Sequence, residues 1–170
     1  ETNTTGSNNT AAGNGALQSN TTASGNTAFG RIALAANTTG ANNVGVGFCA
    51  LRISTTGSGN TSVGACSLCH NTTASNNTAL GFCSLHENTT GCENTAIGKD
   101  AMLATTTGIR NVAVGKGALK TNTTGDANVA IGREALGVAT TADNNTSVGF
   151  DSMQANTTGA NNTAVGKGAL

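Results

Sequence analysis

Apolar side chains recur along the chain at two fixed points of a 17-residue repeat. The repeat occurs ten times without insertion or deletion and accounts for all 170 residues. Counted from its first asparagine, each unit has an apolar residue at position four and a Leu or Met at position nine, with the consensus N-T-A-V-G-x-x-A-L-x-x-N-T-T-G-x-x. A constant short period indicates that every unit contacts its neighbours in the same way, as in a solenoid.

The units predict strands and turns. Each unit contains two short runs rich in β-branched residues, T-A-V and N-T-T, separated by Gly and Asn. Such runs are typical of strands, and the unit is too short for two helices with their loops. We predict an all-β fold, a parallel β-solenoid (β-roll) of ten 17-residue coils with two short strands per coil, forming one domain over residues 1–170. Coils stacked about 4.8 Å apart would make a rod on the order of 45 Å long.

The strand pattern also predicts which side chains point outward. If the apolar residue at position four points into the coil, so does the Thr or Val at position two, and the residue at position three points out. Position three holds only Ala, Ser or Gly, whereas a solvated face should tolerate long polar side chains. This restriction predicts a surface that a second copy of the rod approaches closely. The candidate self-association face is Ala28, Gly45, Ser62, Ala79, Ala96, Ala113 and Ala130.

Two columns of the repeat are invariant and are expected to be structural. Glycine at position five is the candidate turn residue in every unit, namely Gly13, Gly30, Gly47, Gly64, Gly81, Gly98, Gly115, Gly132, Gly149 and Gly166. Asparagine at position one is expected to form a ladder in which side-chain amides hydrogen-bond from coil to coil. This Asn ladder is Asn9, Asn26, Asn43, Asn60, Asn77, Asn94, Asn111, Asn128, Asn145 and Asn162.

Threonine pairs occupy positions thirteen and fourteen of every unit. One Thr of each pair should face outward, and the sequence leaves open which one, because the intervening turns can shift the phase of the alternation. The candidate outward Thr ladder is position thirteen, which comprises Thr21, Thr38, Thr55, Thr72, Thr89, Thr106, Thr123, Thr140 and Thr157. An outward Thr ladder on a regular solenoid could order water in a lattice-like array, so ice is an alternative ligand.

Charge and composition exclude several classes of function. All charged residues fall at repeat positions six, seven, ten, eleven, sixteen and seventeen, which are predicted turns, and the net charge is zero. There is therefore no basic stripe for nucleic acid and no polybasic patch or apolar span for a membrane. No carboxylate pair, His-centred triad or metal-ligand set stands out from the repeat. We predict that the chain is not an enzyme and binds no cofactor or metal.

The sequence also contains cysteine motifs and asparagine sequons. Cys49, Cys66 and Cys83 share position seven of three successive coils, so either one disulfide staple, Cys49–Cys66 or Cys66–Cys83, or a column of free thiols is expected. Cys66, Cys69 and His70 form a C-x-x-C-H string, which we interpret as drift of the repeat and not as a haem or zinc site. Asn-x-Ser/Thr sequons include those at Asn3, Asn20, Asn37, Asn71, Asn88, Asn122 and Asn156.

The N-T-A-V-G-x-x-A-L core resembles the head repeats of trimeric autotransporter adhesins. The whole unit is also similar to the N-T-A-x-G-x-x-A-L-x-x-N-T-T-G arrays of bacterial surface and phage tail-fibre-like proteins. The resemblance implies a left-handed β-roll that associates as a trimer on a cell surface. It further implies that Val46 and Val63 fill the coil and that Ala28 and Ala79 face the trimer axis. The present unit is longer and adds the Thr-Thr pair.

These observations predict a non-enzymatic structural or adhesive fibre segment that is extracellular, on a cell or virion surface. Its expected partners are copies of itself, as a homotrimer or fibre, and a host-surface receptor or glycan. Because the chain starts and stops within a unit and has no polar caps, it is expected to be part of a longer fibre, or a rod whose ends stack on one another. The alternative is an ice-binding (antifreeze) β-solenoid.

Overall fold

The computed structural model describes residues 2–170 and contains one short strand in each repeat, with no helix among the described residues. The strands are β1 (Thr10–Ala12), β2 (Thr27–Phe29), β3 (Val44–Val46), β4 (Thr61–Val63), β5 (Thr78–Leu80), β6 (Thr95–Ile97), β7 (Val112–Val114), β8 (Val129–Ile131), β9 (Thr146–Val148) and β10 (Thr163–Val165). Each strand pairs in parallel with the next, and the sheet runs in the order β1 to β10. The predicted all-β parallel solenoid is confirmed.

Equal repeat positions lie beside one another in the sheet. In the pairing of β2 with β3, Thr27 lies beside Val44, Ala28 beside Gly45 and Phe29 beside Val46. The same one-repeat shift relates every other neighbouring pair of strands, for example β7 and β8. The sequence repeat is thereby converted into straight columns of side chains that run along the axis of the rod.

The N-T-T run, predicted as the second strand, contains bends and no strand. It does make backbone bonds between coils, since the amide of Thr38 donates to the carbonyl of Thr55 over 3.0 Å. The next amide, that of Thr39, donates to the same carbonyl over 3.2 Å. Two amides that share one acceptor cannot continue the regular alternation of a parallel ladder, so the prediction of two strands per coil is wrong.

The interior of the coil holds one large side chain per turn. The Leu or Met at position nine is completely buried in the eight central coils, from Leu34 to Met153. Around it lie the small residue at position eight and the asparagine at position one, which are also buried in those coils. These columns form one continuous and narrow core along the rod.

The strands face the opposite way from the prediction. Position three points inward, and the residues predicted as the self-association face are buried inside the chain's own coil: Ala28, Gly45, Ser62, Ala79, Ala96, Ala113 and Ala130. Gly45 shows why this column is small, because a Cβ added there would lie 3.2 Å from Cγ of Leu34. Position four points outward, so Val46 and Val63 do not fill the coil. The small residues are explained by the core and not by a second rod.

Tight bends follow each strand. The position-five glycine has a φ that only glycine readily adopts, 131° at Gly30, and a Cβ there would lie 2.5 Å from the carbonyl oxygen of Gly47 in the next coil. Beyond it, positions seven, nine and seventeen are left-handed even where they carry side chains, as in Cys66 (φ 57°), Leu68 (φ 46°) and Asn76 (φ 60°). These residues close the coil within 17 residues.

Candidate functional site

The outer face of the sheet carries an unbroken apolar column at position four. Its side chains are exposed or half-buried in every coil, and Leu80 and Phe29 leave 46% and 45% of their surface open. Position two, a Thr or Val, runs beside it on the same face. The apolar column consists of Ala12, Phe29, Val46, Val63, Leu80, Ile97, Val114, Ile131, Val148 and Val165. Contiguous apolar surface of this kind marks interaction sites in soluble proteins.

One margin of this face is formed by position six, across the glycine bend. Here aromatic and cationic side chains from successive coils stack on one another. The guanidinium of Arg133 lies 5.0 Å from the ring centroid of Phe150, and the ammonium of Lys99 lies 5.7 Å from that of Phe82. Such contacts hold exposed aromatic rings in place at about 0.5–1 kcal/mol each. The margin is therefore more polar than the column that it borders.

Position-one asparagines form a buried chain of hydrogen bonds along the rod. The side-chain oxygen of Asn77 accepts from the backbone amide of Asn94 over 3.0 Å, and its side-chain nitrogen donates to the carbonyl of Gly91 over 2.9 Å. The same pair of bonds recurs along the rod, beginning with Asn9 and including Asn43. The column thus supplies a partner for the buried backbone amide at position one of the next coil, which the bend would otherwise leave without one.

The asparagines of most N-T-T sequons lie in the core. At position twelve, Asn37 and Asn88 are completely buried, and Nδ2 of Asn88 donates to Oδ1 of Asn71 and to the carbonyl of Gly91 over 3.0 and 2.9 Å. The sequon residues that are buried in this way are Asn20, Asn37, Asn71, Asn88 and Asn122. Asn3, in contrast, is exposed, and Asn156 is half-buried. The folded rod cannot present the buried nitrogens to a glycosyltransferase.

The two threonine columns differ in their surroundings. At position thirteen, the predicted outward ladder, the central residues are half-buried and their hydroxyls donate to backbone carbonyls of the next coil, as from Thr72 to Thr89 over 3.0 Å. At position fourteen every Thr is exposed, including Thr73, Thr90 and Thr107. The free threonine surface is therefore position fourteen, and the assignment to position thirteen is wrong.

The cysteine column contains free thiols. Cys49, Cys66 and Cys83 follow one another in successive coils, and none of the three forms a disulfide. Burial, together with the neighbouring Cys66, raises the pKa of Cys83 to about 11. Of the two alternatives left open by the sequence, the structure has the column of thiols and no staple among the described residues.

The C-x-x-C-H string does not assemble as its sequence suggests. Cys69 and His70 instead come together with His86 of the following coil, and the ligand atoms of these three residues lie within 4.8 Å of one another. The sequence motif does not include His86, which lies in the next coil and at a different repeat position from His70. The useful signal is the spacing of 17 between Cys69 and His86, which places them one above the other.

Comparisons with known proteins find no matching family model, no matching curated protein and no matching solved structure. Within residues 2–170, no helix has the length and hydropathy needed to cross a membrane.

Proposed function

We propose that the chain is a segment of a non-enzymatic structural and adhesive fibre in which copies of the rod associate through the apolar column at position four. The fibre is proposed to be a homotrimer on the outside of a cell or virion, with the coils wound in the left-handed sense. The observation that supports self-association is the exposed apolar column itself, which continues through ten strands without a charged residue.

A second copy is the partner that best fits this surface. The column repeats its side chains once per coil, at the spacing of parallel strands, about 4.8 Å. A copy of the same rod offers apolar groups at the same spacing, whereas a globular partner would match only a few coils. Burial of each Val, Leu, Ile or Phe stabilises an association by up to roughly 1.5–3 kcal/mol, less what is already buried. The zero net charge removes long-range repulsion between copies.

The adhesive role is assigned to the surfaces that remain exposed after association. The position-fourteen threonines, such as Thr90 and Thr107, form an uncharged hydroxyl-rich column away from the sheet. Hydroxyl groups can both donate and accept hydrogen bonds, which suits a host-surface receptor or glycan. In this proposal the apolar column assembles the fibre and the threonine column contacts what the fibre binds.

Light scattering coupled to gel filtration tests the proposal. The wild-type chain has a mass of 16.5 kDa, so a trimer should elute at about three times that value. Ile97→Lys combined with Ile131→Lys places two charges on the apolar column and should give a monomer. The matched control, Thr107→Lys with Thr141→Lys, carries the same charges at the same separation along the chain on the threonine column, and should keep the wild-type mass.

Two results would reject self-association through this column. One is a wild-type chain that stays monomeric at every concentration tested. The other is an equal mass for the two lysine variants, with unchanged far-ultraviolet circular dichroism in both. The circular dichroism separates a lost interface from a lost fold.

Ice binding is the second candidate, and one observation favours it. The exposed threonines at position fourteen form a straight, regularly spaced column on a rigid rod. The hydroxyl groups of the neighbouring column at position thirteen donate to backbone carbonyls. Position fourteen is therefore the one column on this side whose threonine hydroxyls are exposed to solvent. Measurement of thermal hysteresis decides the matter: a freezing-point gap that Thr107→Lys with Thr141→Lys abolishes supports ice binding, and a value equal to that of buffer excludes it.

A further inference from the structure

Two adjacent coils bring four side chains with metal-binding chemistry into one patch. Cys69 and His86 occupy position ten of successive coils, and His70 and Glu87 occupy position eleven. The backbone amide of His70 donates to the carbonyl of His86 over 3.1 Å, which fixes the two coils relative to each other at this point. One atom each of Cys69, His70 and His86 lies within 4.8 Å of the other two.

Glu87 holds both imidazole rings. Its Oε2 lies 2.8 Å from Nδ1 of His70, and its Oε1 lies 2.9 Å from Nδ1 of His86. A carboxylate only accepts, so Nδ1 is the donor in each ring, and in the neutral ring Nε2 keeps its lone pair. A carboxylate that accepts from a histidine in this way is the usual outer partner of a metal-binding imidazole. The two rings pack edge to face, with their centroids 4.6 Å apart.

The thiol of Cys69 lies at the inner side of the patch. It is almost completely buried, with 4% of its surface exposed, and burial raises the pKa of this thiol. The positive charge of the Arg52 guanidinium, one coil earlier at the same repeat position, acts in the opposite direction by favouring the thiolate. A positive neighbour on one side and two imidazoles on the other therefore surround a sulfur that water hardly reaches.

We propose that Cys69, His70 and His86 form a binding site for one Zn²⁺ ion, with Glu87 as the carboxylate that orients the two imidazoles. One thiolate and two imidazoles are a ligand set that Zn²⁺ favours, and water takes the fourth tetrahedral position. Bonds of about 2.0–2.3 Å place tetrahedral ligand atoms roughly 3.5 Å apart. Side-chain rotations that move the ligand atoms by about 1 Å would bring all three into bonding distance of one ion. The proposal does not depend on the function proposed above.

Binding involves no change of oxidation state. The Cys69 thiol loses its proton to the solvent buffer as the sulfur–zinc bond forms, and the imidazoles bind as neutral ligands. Since the ligands come from two successive coils, the ion would link those coils. Metal binding to the folded chain should therefore raise the midpoint of thermal unfolding.

Isothermal titration calorimetry of the untagged, reduced full chain with Zn²⁺ tests the site. Saturation at one equivalent is expected. Substitution with Co²⁺ should give thiolate-to-cobalt charge-transfer absorption together with the visible bands of tetrahedral cobalt. Cys69→Ser should abolish the charge-transfer band, His86→Gln should weaken Zn²⁺ binding by more than about 100-fold, and Glu87→Gln by about 10–100-fold.

Cys92→Ser is the matched control, because Cys92 lies in the same coil as His86 but outside the cluster. This variant should leave Zn²⁺ binding unchanged. Circular dichroism of each metal-free variant checks that the fold is kept. Should a variant not fold, the cobalt spectrum of the wild type still reports thiolate ligation directly. The proposal is overturned if the wild type shows no charge-transfer band with Co²⁺, or if Cys69→Ser and Cys92→Ser bind Zn²⁺ equally well.

Discussion

Truncation of one position-one asparagine in a central coil probes the hydrogen-bonded column that runs through the rod. Asn77→Ala removes the acceptor of the Asn94 amide, 3.0 Å away, and the donor to the carbonyl of Gly91, 2.9 Å away. Asn94 and Gly91 are both buried, so solvent does not replace the lost partner. A buried polar group left without a partner costs about 1–3 kcal/mol. The Gly91 carbonyl keeps its bond from Nδ2 of Asn88, so the Asn94 amide is the one group left without a partner. With the lost bond to Gly91 counted at about 0.5–1.5 kcal/mol, the expected loss in the free energy of unfolding is about 2–4 kcal/mol.

The matched control is the adjacent residue. Asn76→Ala makes the same chemical change at an exposed side chain, and Ala127 occupies the equivalent position with a similar backbone, φ 55° against 60°. The control should lose less than about 1 kcal/mol, which is the preference of Asn over Ala for left-handed backbone. Urea unfolding followed by circular dichroism, at one fixed protein concentration, measures both values.

Hydrogen exchange adds a local readout to the unfolding experiment. The Asn94 amide should exchange faster in Asn77→Ala than in the wild type, and Asn76→Ala should leave its rate unchanged. Equal unfolding free energies for the two variants, or unchanged protection of the Asn94 amide in Asn77→Ala, would refute the assignment of the column as a stabilising element.

Three further predictions concern backbone and thiols. Gly81→Ala should destabilise the rod by about 3 kcal/mol or more, measured by urea unfolding, because φ is 138° and a Cβ would lie 2.6 Å from the carbonyl oxygen of Gly98. Arg110→Gly should stabilise it by about 0.5–1 kcal/mol in the same assay, since Arg110 is exposed at φ 58°. At pH 8, with a pKa of about 11, Cys83 should be alkylated about tenfold or more slowly than in the urea-unfolded chain, measured by mass spectrometry; equal rates would contradict this.

The fold was predictable because a repeat of constant length permits few architectures. Short β-branched runs between Gly and Asn exclude helices, and the equal spacing of equal residues requires parallel stacking. What the pattern could not supply is the number of strands. The N-T-T run has strand-forming residues, yet Thr38 and Thr39 donate to one carbonyl, and this sharing of an acceptor depends on the turn geometry between coils.

The direction of the strand side chains was predicted wrongly for an identifiable reason. Apolar character alone does not imply burial, because folded proteins keep much apolar surface exposed. The coil is so narrow that Leu34 fills its interior and approaches the backbone of Gly45. The restricted choice of residues is the better signal, since position one is always Asn and position three is always small. These two positions lie on the same side of the strand, and it is this side that is buried. The outward-facing column is therefore position four, one residue after the predicted position three.

The candidate metal cluster is not apparent from residues that are adjacent in the sequence. Cys66 and Cys69 are close in sequence, but the cluster combines Cys69 and His70 with His86 of the following coil. In a solenoid, residues one period apart are neighbours, so a search for ligand sets has to include that spacing. The hydrogen bonds from His70 and His86 to Glu87 depend on side-chain conformations, which the repeat pattern does not specify.

Cross-linking through a single introduced cysteine tests most directly whether the apolar column is where copies of the rod meet. In a chain whose native cysteines are replaced by serine, Val114→Cys puts a thiol on that column, and Thr124→Cys puts one on the exposed threonine column of the same repeat. Under mild oxidation, Val114→Cys is expected to form covalent dimers quickly and at low protein concentration, while Thr124→Cys stays monomeric on a denaturing gel. Equal cross-linking of the two variants, or none with Val114→Cys, would contradict assembly through position four.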